Sequence, residues 1–206
     1  MHRLQPKNKI CFQLKKNVNP ILDLKKLKKK KWSAVKKNAR FAHQIEKKPE
    51  RLKHFYKRRL LMTQQFKYFY GCLPEYQLKN IFCSILKKSK GNKLVAFLTH
   101  LESRLDIILF RLRVAKSIYH AKQLISHKKI KVNGQVIKNN AIILKKGDVI
   151  EIENFDSSIL KKNIPAYLEF NKFLKKIIFL KKPSMKEIEY PFSLNFSYVF
   201  EYLKKN

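Results

Sequence analysis

The stretch "AKQLISHKKIKVNGQVI", residues 121–137, changes period halfway along. Ala121, Leu124 and Ile125 recur at spacings of three and four, which places them on one face of a helix with Lys122, Gln123 and His127 turned away. Ile130, Val132 and Val136 then sit on either side of Asn133-Gly134. That dipeptide suits a two-residue hairpin because both central positions need positive φ. A helix therefore runs directly into a tight turn, and Lys128, Lys129 and Lys131 cover the joint.

Outward from this stretch the apolar pattern continues. "SRLDIILFRLRVA" (103–115) predicts a helix with Leu105, Ile108, Leu109 and Leu112 inward and Arg104, Arg111 and Arg113 outward. Ser117 is a good N-cap for the helix predicted over 118–127. "AIILKKGDVIEI" (141–152) predicts a strand, a Gly147-Asp148 turn and an alternating strand. Before the unit, Leu52, Phe55, Tyr56, Leu60, Phe66 and Tyr70 share a helical face that stops at Gly71. Pro74 opens a second helix with the stripe Leu78, Ile81, Phe82, Ile85 and Leu86, and Gly91 is its expected cap. Leu94, Phe97, Leu98 and Leu101 mark a third. After the unit, "IPAYLEFN" reads as extended, Pro191 breaks the chain, and Leu194, Val199, Phe200 and Leu203 predict a short final helix.

These elements predict an α+β fold. A basic N-terminal arm (1–50) precedes a small helical domain (51–100). Two short helices packed on an antiparallel β-sheet follow, with further strands (101–180), and a C-terminal segment (181–206) returns to the body.

Charge selects the partner. The 206 residues carry 48 Lys+Arg against 14 Asp+Glu, a formal net charge of +34. Such self-repulsion destabilises a free compact chain and is relieved beside a dense polyanion. Nucleic acid supplies one charge per phosphate and releases condensed counterions when those charges are neutralised. No apolar run approaches the roughly 18 residues of a membrane-spanning helix, and no stretch separates a basic from an apolar face sharply enough to lie on a bilayer. Hydrophobic residues at 45% and aromatics at 12% supply a core. Residues 1–50, with 16 Lys+Arg and three acids, show little helical period. They read as a solvated arm that orders on a polyanion, where Trp32 can stack on a base or pack in a groove.

Cys11, Cys72 and Cys83 form no C-x-x-C pair, so neither a metal site nor a disulfide framework is expected, and Cys83 reads as a small buried hydrophobe. No cofactor is implied. Only eight of the 48 basic residues are Arg, and Ile, Phe, Asn and Tyr are abundant, as a strongly A+T-rich gene would encode. The chain's start has neither a signal-peptide core nor a clear amphipathic transit helix.

The face around the opening stretch is suited to RNA. Lysines act as point charges for phosphates, amides can bond sugar hydroxyls and base edges, and a small turn lets backbone approach closely. The residues expected there are Lys122, Gln123, His127, Lys128, Lys129, Lys131, Asn133 and Gly134. Arg104, Arg111, Arg113, Lys116, Ser117 and His120 join them from the preceding helices, and Arg51, Arg58 and Arg59 from the helical domain.

The stretch 102–152 resembles the RNA-binding module named after the small-subunit ribosomal protein S-four family. The resemblance runs through Arg104-Leu105-Asp106, Ala121, Leu124, Ile125, His127, Val132-Asn133-Gly134 and Gly147-Asp148. "FKYFYGCLPEYQLKNIF" (66–82) looks like that family's helical domain, and "IPAYLEF" (164–170) and "FSYVFEYLKK" (196–205) like its C-terminal segments, so the likeness runs from about Arg51 to the end. It implies a structural protein bound to small-subunit rRNA, a role in assembly, neighbouring small-subunit proteins, and a place near the channel by which mRNA enters. Ile118 stands where the family usually has an arginine, which removes a phosphate contact or passes it to a neighbour such as Lys116. Arg113 stands where a glycine is common.

Two other functions use the same module. An enzyme such as a pseudouridine synthase or a tyrosyl-tRNA synthetase would need a catalytic domain, and some of these use an Arg-Leu-Asp aspartate, here Asp106. No nucleotide-binding Gly loop or pair of acids accompanies it. A free RNA chaperone is the third function, and the helical domain upstream disfavours it. Composition and the degenerate arm point to a mitochondrial ribosome whose gene stayed in the organelle; a plastid-type organelle or an A+T-rich bacterium is the alternative.

Overall fold

The structure is a computed structural model that describes residues 7–14, 16–18, 27–40, 53–153, 164–171, 173–174 and 176–205. It divides into two compact units. One comprises Met1–Ser84 with Glu189–Asn206, and the other Ile85–Ile188.

In the first unit α1 (Lys7–Leu14), α2 (Ser33–Arg40) and α3 (Lys53–Phe69) precede α4 (Glu75–Lys88), and α8 (Phe196–Lys205) packs along α3. Gly71 has φ +73°, so the chain leaves α3 through a conformation that glycine adopts without strain. Phe66, Phe69, Tyr70, Tyr190, Phe192 and Phe196 form one aromatic cluster with ring centroids 4.8–6.4 Å apart. The hydroxyls of Tyr70 and Tyr190 lie 2.6 Å apart, closing its polar edge. Phe66 and Tyr70 of the helical face read from the sequence are therefore core, whereas Tyr56 on that face is 62% exposed.

Two expectations about this unit are corrected. The described parts of the basic arm, read as having little helical period, include helix. Ile10, Cys11 and Leu14 recur at helical spacing and are buried in α1, and Trp32 and Val35 are buried around the short 3-10 turn Lys30–Trp32 and α2. The Trp32 ring meets Phe12 edge-on at 5.6 Å, so it packs within the protein rather than standing open to a base. Few apolar residues suffice because they fall on one face. Cys83 is exposed, since it lies on the side of α4 opposite buried Leu78, Phe82 and Ile85, and Cys11 is the buried thiol.

The second unit carries α5 (Lys93–Glu102), α6 (Leu105–Arg111) and α7 (Ile118–Ser126) beside a five-stranded antiparallel sheet. Its strands are β1 (Ile130–Val132), β2 (Gln135–Val136), β3 (Val149–Ile152), β4 (Leu168–Asn171) and β5 (Lys176–Phe179), in the order β2-β1-β3-β5-β4. Leu105, Ile108 and Leu109 of α6 and Ala121 and Ile125 of α7 share one core with Ile130, Ile150, Ile177 and Phe179 of the sheet. This is the expected α+β arrangement of two short helices on an antiparallel sheet.

The strand expected at 141–144 does not join that sheet. Ile143 forms a single bridge with Arg104; around it the Leu105 N–H donates to the Ile142 carbonyl (2.9 Å) and the Leu144 N–H to that of Ser103 (2.8 Å). The segment is held by the α5–α6 corner, and only Leu144 is fully inward. Gly91 is exposed without positive φ, so α4 does not end on a left-handed glycine.

At the hairpin, Val132 pairs with Gln135 and Lys131 with Val136, and Asn133 (φ +51°) and Gly134 (φ +79°) take the two central places. A Cβ on Gly134 would meet no atom within 4 Å, so its substitution is opposed by backbone strain alone. Gly134→Val is expected to lower stability by about 1–2 kcal/mol. Gly91→Ala, equally open and without positive φ, is expected to leave it unchanged or raise it by up to about 1 kcal/mol. Denaturant titration of the full chain checks both; equal losses at the two sites would show the turn misassigned.

Candidate RNA-binding surface

The corner between α5 and α6 contains buried charge. The Glu102 and Asp106 side chains have no exposed surface. Arg104 donates from Nε (3.1 Å) and Nη2 (2.9 Å) to the two oxygens of Asp106, and Arg111 does the same to Glu102 at 2.9 and 2.7 Å. These bidentate pairs correct the expectation that Arg104 and Arg111 face outward. Helical periodicity alone cannot show that a partner carboxylate lies on the buried side. Nearby, burial and the Glu102 carboxylate push the Tyr167 hydroxyl well above the usual tyrosine range. Arg113, by contrast, is exposed.

Beyond the corner, the Ser117 hydroxyl caps α7 by accepting from the His120 N–H at 3.2 Å, as its sequence predicts. The Lys116 N–H donates to His120 Nδ1 at 3.3 Å, so this imidazole braces the loop. Ser117 itself is buried, and Ile118, at 4% exposure, faces inward; the side chain open to solvent here is Lys116. Along α7, Gln123 and His127 are exposed, and Lys122 is half-buried with its ammonium 6.0 Å from the Tyr119 ring centroid.

Helix α7 ends in a feature the sequence concealed. The Lys128 N–H donates to the Ile125 carbonyl (2.9 Å) and the Lys129 N–H to that of Leu124 (3.1 Å), while Lys128 takes φ +59°. This is a Schellman cap with lysine at the position that glycine ordinarily fills. Arg113, with φ +62° after α6, occupies the corresponding place, which gives a physical meaning to the glycine common there in the family that this stretch resembles. Both left-handed residues are cations with exposed side chains. Lys129 is exposed as well, and Lys131 pairs with Glu153 at 3.2 Å.

Asn133 acts as a clasp. Its Nδ2 donates to Asp148 Oδ1 (3.0 Å), its Oδ1 accepts from the Val149 N–H (2.9 Å), and its own N–H donates to the Val149 carbonyl (2.8 Å). Asp148 in turn accepts from the Lys145 N–H at 2.7 Å. The side chain expected to read RNA therefore ties the Asn133-Gly134 turn to the Gly147-Asp148 turn, and the exposed backbone around Gly134 is what remains open.

In the first unit Arg58 lies 5.5 Å from the Tyr198 ring centroid and Arg59 pairs with Glu201 at 2.5 Å, so both engage α8. Arg51 lies outside the described residues. Among the described residues no group of three His, Cys, Asp or Glu could hold a metal ion, and no helix is long and apolar enough to cross a membrane.

Lys116, Lys122, Gln123, His127, Lys128, Lys129 and Lys131 thus form a cationic edge along α7 and into β1. Comparison with known proteins bears on what this edge is for. Residues 103–150 match the S4 domain family. The proteins called small ribosomal subunit protein uS4 in Rickettsia canadensis (strain McKiel) and Rickettsia prowazekii (strain Madrid E) are each 36% identical over 151 residues, covering 69% of this chain and 73% of the relative.

Two expected outcomes separate folding from recognition at this edge. Arg111→Ala leaves the buried Glu102 carboxylate without its arginine and is expected to cost about 3–5 kcal/mol, whereas Lys122→Ala stays within about 0.5 kcal/mol. Lys128→Gly relieves the left-handed strain and is expected to raise stability by about 1 kcal/mol while weakening RNA binding. Paired unfolding and filter-binding measurements check this; a variant with both properties unchanged would show that Lys128 is neither strained nor in contact.

Proposed function

We infer that this chain, which belongs to the uS4 family of small ribosomal subunit proteins, is a structural constituent of the small subunit and not an enzyme, and that its cationic edge on α7 and β1 holds small-subunit rRNA. The observation that carries the reading is the S4 domain match at 103–150 within a likeness extending over 69% of the chain. Charge supports the rest: at +34 the chain gains most from a partner that brings phosphates. Lys116, Lys122, Lys128, Lys129 and Arg113 serve as phosphate contacts, and Gln123, His127 and the Gly134 backbone meet sugars or base edges. Arg104, Arg111, Ser117, His120 and Asn133 act one step back, fixing the elements that carry those groups. Arg58 and Arg59 brace α8, and Arg51 adds a further phosphate contact. Against catalysis, the Arg-Leu-Asp aspartate is sealed: Asp106 has no exposed surface and both its oxygens accept from Arg104.

The finer reading rests on the family resemblance and on composition. The chain supports assembly of the subunit, touches neighbouring small-subunit proteins, and lies near the channel by which mRNA enters. The ribosome is a mitochondrial one, with the gene in the organelle. The support is the low arginine share, eight of 48 basic residues, which an A+T-rich gene explains. The relatives named above are bacterial, and an A+T-rich bacterium or a plastid-type organelle is the competing source. Co-sedimentation with mitochondrial small subunits tests the placement, and sedimentation with another ribosome overturns it.

Removing the charges of Lys122, Lys128 and Lys131 together is expected to weaken binding to many RNAs alike and to flatten the dependence of log affinity on log salt. The slope changes by about 0.7–0.9 of a unit for each phosphate that is no longer neutralised. Lys131, already paired with Glu153, contributes least of the three. Equal slopes for the triple variant and the unaltered protein would refute phosphate contact at this edge.

A further inference from the structure

The tip of the β4–β5 hairpin presents the most exposed large apolar side chain among the described residues. Phe173 is 98% exposed and Leu174 beside it 63% exposed. Single exposed apolar residues are ordinary on protein surfaces, but these two are adjacent and held out by the turn itself. Asn171 Oδ1 accepts from both the Phe173 N–H (3.0 Å) and the Leu174 N–H (3.2 Å), fixing the backbone from which the two side chains project. Such an Asx turn is set by the asparagine and makes no demand on the side chain at 173.

Sheet register places the tip. Lys176 pairs with Glu151 in β3, and Ile152 pairs with Ile130, the first residue of β1. The hairpin tip therefore lies at the same end of the sheet as Lys128 and Lys129, which immediately precede β1. Only β3 stands between β1 and β5, so the separation across the sheet is roughly 10 Å. At this end both carboxylates of β3 and its exit are engaged, Glu151 with Lys176 at 2.9 Å and Glu153 with Lys131 at 3.2 Å. In the sequence Lys172 and Lys175 bracket Phe173-Leu174 directly. An aromatic ring flanked by lysines in the sequence and standing at the same end of the sheet as a cationic edge has the composition of a stacking platform for single-stranded RNA.

We propose that Phe173 stacks on an unpaired base of small-subunit rRNA, with Leu174 covering the base edge. The proposal rests on the rRNA-binding reading above and adds a second point of attachment to it. Stacking is indifferent to which base is presented, because every base has a π face.

The test uses the full chain and a transcript of bacterial small-subunit rRNA. Phe173→Ala is expected to weaken binding about 5- to 150-fold without changing the salt slope, because no charge is lost. Phe173→Trp is expected to restore affinity, and both variants should melt like the unaltered protein because the ring contributes no burial. Lys128→Ala, measured alongside, tells the two readings apart. If Lys128→Ala weakens binding and Phe173→Ala does not, the stacking proposal fails and the rRNA reading stands; if neither does, the rRNA reading itself has failed. In assembled subunits, a photo-reactive phenylalanine at 173 is expected to crosslink to RNA, and a crosslink to a neighbouring protein instead overturns the proposal.

Discussion

Acidic residues are scarce in this protein, and the fold depends on where they go. Of 62 charged side chains, 48 are Lys or Arg and 14 are Asp or Glu. Glu102 and Asp106 are fully buried at the α5–α6 corner, each gripped by an arginine in two-toothed fashion. A buried charge is tolerated only with such a partner, and a corner built this way leaves little freedom in how the helices meet. Because Arg104 also bridges Ile143, and because Ser103 and Leu105 bond the chain on either side of it, the same corner fixes the path that leads to β3. The helices of the S4 domain and the strands beneath them are thereby set by two carboxylates.

Six further carboxylates follow the same rule at lower cost. Asp148 shapes a turn, Glu151 and Glu153 brace neighbouring strands through Lys176 and Lys131, and Glu187 closes a cap on the Ser184 N–H while pairing with Lys181. Those bonds from Lys181 and Ser184 hold the Glu187 carboxyl down to about 2. In the first unit Glu75 accepts from Tyr202 and Glu201 pairs with Arg59. Acids engaged within the fold compete less with an incoming polyanion for the exposed lysines, which is the electrostatic condition for binding one.

Much of this was legible in the sequence, and the exceptions share a cause. Periodicity found α3, α4, α5, α6 and α7, and Asn133-Gly134 found the hairpin, because these signals are local and follow from spacing or φ preference alone. The capping role of Ser117 was legible for the same reason. What spacing could not reveal was the partner of a side chain. Arg104 and Arg111 belong on a polar helix face by pattern, yet their carboxylates lie within the chain. Asn133 looked free to read RNA until the distant Asp148 took its amide. Lys128 carried no mark of a left-handed cap because the usual mark is a glycine. In the arm, lysine density hid the apolar faces of α1 and α2, which depend on where a few residues fall and not on how many there are.

The clasp at Asn133 has a chemical consequence. An asparagine followed by glycine, with no side chain to shield the next amide nitrogen, is the peptide context most open to loss of ammonia by cyclisation. At Asn133 that loss, followed by the opening of the cyclic imide by water, would exchange a donor for a second carboxylate at a position where Asp148 Oδ1 now accepts a hydrogen bond at 3.0 Å. Attraction between the two turns would become repulsion between two like charges. The residue pair that lets the chain reverse direction is thus also where slow hydrolysis would write the protein's age into its structure, one side-chain amide at a time.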